Sequence, residues 1–312
     1  MNVIPLTRGF RRSIEEQNIA TNLLADWMEG CALFGEERRL SGSALVGFLV
    51  EEEIYDDQDF CWQAIDDGLN ELRRRSKLNS GFSLSVSDRH IDRLVPSWQE
   101  VPVHSFLLLL TLAQRYDKWT KVMPIDYTLQ GHLFEDVTRE SLTFQLPDWT
   151  IHPTGWTQTH HSMLSTLVAD IAGRLGELQG DVRAWTPPAA KDAGLDLLCY
   201  RPFPDGHVGV PLLMIQCASG DWNEPGKIKT PDIDIWTKIV TFASTPKRAF
   251  ATHFCFLRDE FRQVAGMVNG VLLDRYRLLG TKAEHEWASA PLRKKLREWV
   301  GARVAKLSEL SS

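Results

Sequence analysis

Apolar residues recur at helical spacing from about Ile14 to Phe34, through Ile19, Leu23, Leu24, Trp27, Met28 and Leu33, the pattern of an amphipathic helix. Ser41 is placed to cap a second helix, which runs toward the acidic stretch Glu51 to Asp59. A third covers Phe60 to Leu78 and ends in Arg73, Arg74 and Arg75, basic residues that complement a helix C-terminus. Phe82, Leu84 and Val86 alternate with serines, which predicts a short strand. Val103 to Tyr116 contains FLLLLTLA, apolar on all faces, and therefore predicts a central buried helix. The first 120 residues read as mostly helical, with no motif that assigns a chemistry.

The pattern then changes. GHLFEDVTRESLTFQLPDW predicts a helix from near His132 that Pro147 ends, TIHPTGW a short extended piece, and His161 to Leu175 an amphipathic helix. Gly176 to Ala190 reads as a loop. From Lys191 to Lys229 two apolar strands are joined by a Pro-Asp-Gly turn, with Asp196 near the start of the first and Gln216 near the end of the second. Beyond them come a helix over Ile233 to Phe242, a strand over Arg248 to Leu257, a helix over Asp259 to Leu279 and a basic helix over Pro291 to Leu310. Strands interleaved with helices in this order predict an α/β (α+β) fold. The expectation is a mixed central sheet flanked by helices in residues 126–312, preceded by a mostly helical domain over residues 1–125.

Asp196 and Gln216 carry the main chemical signal, because polar groups inside apolar strands need partners. A hydrogen-bonded pair closing a hairpin and half of a metal site both satisfy that need. Opposed residues in an antiparallel pair point to one face. The two can therefore meet only across an odd-length connection, which predicts a three- or five-residue loop around Gly206, or a bulge. A tight two-residue Asp205-Gly206 turn would send Gln216 to the other side.

Composition narrows the classes. The chain has 312 residues, 43% of them hydrophobic, enough for a large core. Its net charge of −6 is uneven: residues 150–312 hold 20 Lys+Arg against 17 Asp+Glu, and residues 1–149 hold 15 against 24. Nucleic-acid binding would therefore rely on a local basic face in the second half. Cys31, Cys61, Cys199, Cys217 and Cys255 are widely spaced, with no CxxC pair, which predicts free thiols and a cytoplasmic location. No apolar run is long enough to span a bilayer.

Two oxygen-bearing side chains on adjacent strands suit a hard Mg²⁺ ion at a phosphodiester-cleaving site. The stretch resembles the PD-(D/E)XK, or restriction-endonuclease-like, superfamily, in the branch where glutamine replaces the second acid. The resemblance covers about residues 130 to 257. It implies Glu135 of LFED as the helix acid, Asp196 of GLD as the acid beginning the hairpin, and Gln216 of QCASGDW as the residue ending it, all three as metal ligands. The usual lysine two residues after the third motif is replaced by Ala218. Lys227, or Lys229 behind it, stands in as the displaced catalytic lysine.

What the resemblance implies is an Mg²⁺- or Mn²⁺-dependent endonuclease acting on DNA, as an effector of a bacterial restriction or phage-defence system. The acidic N-terminal half would then hold a protein partner or dimerise. The alternative is a catalytically inactive nuclease-fold scaffold. Blander roles are open for several residues: dipole complementation for Glu135, turn capping for Asp192, solvation for Asp221 and packing for Trp222. Other motifs fail. In GDWNEPGK, Ile228 stands where a phosphate loop needs Ser or Thr; no HExxH, GxSxG or GxGxxG occurs; and His160 and His161 form no zinc pattern.

Overall fold

The computed structural model describes residues 3–8, 10, 20–52, 58–78, 82–154, 164–186, 193–220, 228 and 230–310. In chain order the elements are α1 (Thr21–Phe34), β1 (Arg39–Ser41), α2 (Gly42–Glu51), α3 (Gln58–Leu78), β2 (Leu84–Val86), β3 (His90–Arg93), α4 (Pro102–Ala113), α5 (Trp119–Val122) and α6 (Tyr127–Gln145). They continue with β4 (Thr150–Pro153), α7 (Leu164–Leu175), β5 (Leu178–Gln179), α8 (Val182–Trp185), β6 (Leu197–Tyr200), β7 (Leu212–Ala218), α9 (Ile233–Ile239) and β8 (Val240–Thr241). The last are β9 (Lys247–Thr252), α10 (Arg258–Val268), β10 (Val271–Leu273), α11 (Arg275–Leu279) and α12 (Ala290–Val304).

The chain divides into two compact units. The first comprises residues 1–133, 253–257 and 275–312, the second residues 134–252 and 258–274. Sequence order suggests a division near residue 125; the contacts instead divide the chain within α6 and gather the C-terminal helices with the first unit. Those helices return because α12 packs its buried Leu292, Leu296, Trp299 and Val300 against α4. A linear reading of the chain cannot register such a return.

In the first unit, α4 is buried from Pro102 to Leu112, as its all-apolar sequence demands. Ser41 caps α2, its hydroxyl accepting from the Ala44 N–H at 3.1 Å. The three terminal arginines of α3 diverge. Arg75 is fully buried and pairs with Asp26 at 2.8 Å, Glu29 at 2.9 Å and Glu71 at 2.9 Å. Arg74 joins Glu71 at 2.7 Å, and Arg73 turns to Asp88 and Asn70. Charge pairing, beyond dipole complementation, therefore explains this cluster.

The second unit is an α/β layer built on a five-stranded mixed sheet of order β10-β9-β7-β6-β4. β10, β9 and β7 run parallel, while β6 is antiparallel to β7 and to β4. Leu198, Leu212 and Met214 share one core with Leu167 and Ile171 of α7 and Trp236 of α9.

The helix expected over Asp259 to Leu279 is three elements, α10, β10 and α11. Asn269 takes a positive φ of 50°, and a Cβ on Gly270 would stand 2.1 Å from the Arg248 carbonyl. Only glycine permits that approach, so Asn269-Gly270 stops the helix and delivers β10 to the sheet. The predicted strand over Arg248 to Leu257 likewise shortens to β9, and the helix over Ile233 to Phe242 ends at Ile239. The loop expected over Gly176 to Ala190 contains β5 and α8, the latter capped by Asp181, whose carboxylate accepts from Arg183 and Ala184.

Candidate active site at the end of the central sheet

β6 and β7 pair with Leu197 opposite Ile215 and Leu198 opposite Met214. Continued by one residue this register would set Asp196 opposite Gln216, but the Asp196 N–H instead bonds the carbonyl of Ile215, the partner of Leu197, at 3.0 Å, so the ladder ends there in a bulge. The register of β6 on β7 is the one that an odd-length connection requires. The connection itself is longer than expected: it spans 201–211, closed by Arg201 N–H to Pro211 O at 3.0 Å. Pro202, Pro204 and Pro211 lack the N–H groups a tight hairpin ladder would use. A turn does form at Pro-Asp-Gly, where the Gly206 N–H reaches Phe203 O at 3.1 Å.

Asp196 is half-buried rather than sealed in the core. Its Oδ2 accepts the Cys217 backbone N–H at 2.7 Å, a charge-assisted bond that fixes the carboxylate against the end of β7. Gln216 is also half-buried. Its Oε1 lies 3.0 Å from where a Cβ on Gly194 would stand, and Gly194 has a φ of +74°; glycine is needed there for both reasons. Gln216 opens onto a cavity of about 650 Å³ that it shares with Thr230, Asp232 and Arg248. Asp232 caps α9 by accepting from the N–H groups of Asp234 and Ile235, both at 3.1 Å.

α6 brings Glu135 to the same end of the sheet. Thr138, one turn further along α6, hydrogen-bonds the Cys217 thiol. Burial pushes that thiol well above its ordinary range, and the charges of Asp196 and Glu135 push it the same way. Both carboxylates therefore surround one residue. Alternation along β7 places Cys217 and Gln216 on opposite faces. Glu135 thus approaches from one side of β7, Gln216 lies on the other, and Asp196 is tied to the backbone that joins them.

Glu135 and Asp196 thus both act on Cys217, and Gln216 is its neighbour along β7. Lys227 and Lys229 lie outside the described residues, as do Asp192, Asp221, Trp222, His160 and His161. Ile228 does line the Gln216 cavity. Arg248 and Cys217 belong to the site although the sequence singled out neither for a role. An arginine at the start of a strand was a weak signal for Arg248; Cys217 follows from the register alone.

Two carboxylates and an amide oxygen are hard donors of the kind Mg²⁺ takes. Among the described residues no three His, Cys, Asp or Glu side chains are gathered as a metal cluster, so an ion here would draw on water as well. No helix among the described residues is long and apolar enough to cross a membrane. No family model, curated protein or solved structure matches the chain.

Proposed function

We propose that the second unit is a metal-dependent nuclease that hydrolyses DNA phosphodiester bonds. The observation that carries this reading is that Asp196, just before β6, holds the Cys217 N–H at the end of β7 while the charge of Glu135 on α6 acts on the same residue, next to Gln216. Asp196 and Glu135, whose charges both act on Cys217, would hold Mg²⁺ or Mn²⁺ together with water, while Gln216 faces the cavity on the other side of β7. The bound ion supplies Lewis-acid polarisation of the phosphate and a water of lowered pKa. Asp196 is oriented for this by the Cys217 N–H, and Arg248 offers a guanidinium to a phosphate in the cavity beside Gln216. Lys227, or Lys229, takes the part of the displaced lysine and steadies charge on the phosphate.

The free cysteines support a reducing, cytoplasmic setting. In that setting we assign the chain to a bacterial restriction or phage-defence system, with a protein partner or a second copy docking on the N-terminal half. One observation favours a second reading, an inactive scaffold: the Asp196 bond to the Cys217 N–H is by itself a structural role. Cleavage of plasmid and single-stranded DNA with Mg²⁺ or Mn²⁺ separates the two. The nuclease reading expects cutting that Glu135→Gln and Asp196→Ala each abolish. The scaffold reading expects none from any of the three proteins.

A further inference from the structure

The first unit contains an open cavity of about 710 Å³ lined by α3, β1, the start of α2 and the turn between β2 and β3. Its volume falls in the range of small-molecule sites, about 300–1,000 Å³. Trp62, Asp66, Asn70 and Arg73 form one stripe of α3 along its wall, at the spacing that puts side chains on one helix face. Trp62 is 39% exposed, a large ring facing solvent beside charged groups. Its accessible face can stack on a planar group.

The opposite chemistry lies in the same lining. Arg39, Arg73 and Arg89 all contribute to it, in a half of the chain where acids outnumber bases. Arg89, on the turn after β2, is exposed and has no side-chain hydrogen bond or ion pair among the described residues. Arg73 is held toward the cavity by Asn70 and Asp88, and its Nε has no acceptor. Arg39 is anchored by Asp92 at 2.7 Å. Ser41, Gly42 and Ser43 place the beginning of α2 in this wall with no acid in its first turn, so its partial positive charge adds to that of the arginines. Asp66 and Asp88 supply acceptors suited to amino and hydroxyl groups.

We propose that this cavity binds a nucleotide, with the phosphates against Arg73, Arg89 and the start of α2 and the base stacked on Trp62. Cationic groups gathered beside one exposed aromatic ring are what a phosphorylated planar ligand needs, and a free phosphate would leave Trp62 unused. The site lies wholly in the first unit and does not depend on the nuclease reading.

Isothermal titration of the full chain with ATP, GTP, CTP and UTP, beside pyrophosphate and adenosine, tests it. The expected result is saturable binding of at least one nucleoside triphosphate, more tightly than pyrophosphate or adenosine. Arg89→Ala, whose exposed side chain has no partner to lose among the described residues, weakens that binding about tenfold, the cost of one charged hydrogen bond. Trp62→Ala weakens the nucleotide and leaves pyrophosphate unchanged. The proposal is overturned if no nucleotide saturates, if Arg89→Ala and Trp62→Ala bind as the wild type does, or if only a single-stranded oligonucleotide binds.

Discussion

The two units use acidic side chains in opposite ways. In the first, Asp26, Glu29 and Glu71 are buried and closed off by cations. Glu29 alone meets Arg75 at 2.9 Å, Arg275 at 3.2 Å, His104 Nε2 at 2.6 Å and the Tyr276 hydroxyl at 3.2 Å. Burial would raise its carboxyl, but Arg275, the His104 hydrogen bond and Arg75 more than reverse that, holding it well below the usual carboxylate range. In the second unit Glu135 and Asp196 are half-buried at the end of a sheet, beside a residue whose thiol their charges disturb. Acids saturated by guanidinium groups hold a core together; in the proposed nuclease the two half-buried acids instead hold the metal.

The strongest way to break this contrast is to open the first cluster. Arg275→Met leaves Asp26 and Glu29 with one fewer cation where the side chain has no exposure, and should cost about 3–5 kcal/mol in denaturant unfolding. An unchanged midpoint would mean that the cluster is not what holds these helices. Adding Glu29→Gln to that variant should restore part of the loss, since the unpaired charge is gone.

The pH dependence sharpens the same point, because Glu284 is a further buried acid with no cation at ion-pair distance among the described residues. Glu284 accepts the Val103 and His104 N–H groups at 3.1 and 3.0 Å, yet burial raises its carboxyl from 4.5 to about 7. The folded state then holds this proton more tightly than the unfolded chain. Its contribution is full below about 4.5 and declines as pH rises to about 7, a loss that Glu284→Gln should remove from a stability profile. Glu29 has the reverse sign: its lowered carboxyl stabilises above the ordinary range and loses that effect only in stronger acid. A profile that rises steadily from pH 4.5 to 7 would contradict the assignment for Glu284.

The open acids should matter less to stability. Asp196→Ala removes the acceptor of the Cys217 N–H and should cost about 1–3 kcal/mol. Glu135→Gln, half-exposed on α6, should fall within about 0.5 kcal/mol of the wild type. A Glu135→Gln protein as damaged as Arg275→Met would place Glu135 among the structural acids and end the contrast.

Much of this was legible in the chain, for identifiable reasons. The helical stripe of α1, the cap at Ser41 and the all-apolar α4 are local patterns, and each element lies where its pattern put it. Parity anticipated the register of β6 on β7, but the expected three- or five-residue loop is a longer connection carrying three prolines, and Asp196 leaves the ladder at a bulge. β10 escaped because VNGVLL continues an apolar run, and only the close approach of Gly270 to Arg248 shows why the helix stops there. The cluster around Glu29 was not legible at all. Its members come from α1, α3, α4 and α11, and no spacing in the sequence joins Asp26 to Arg275.

The most direct test of the central claim is Mg²⁺-dependent cleavage of plasmid DNA by the wild type beside Glu135→Gln, with unfolding midpoints measured on both. The account predicts cutting by the wild type, none by Glu135→Gln, and matching midpoints. Equal activity in the two proteins, or no cutting by a folded wild type with either Mg²⁺ or Mn²⁺, would contradict it.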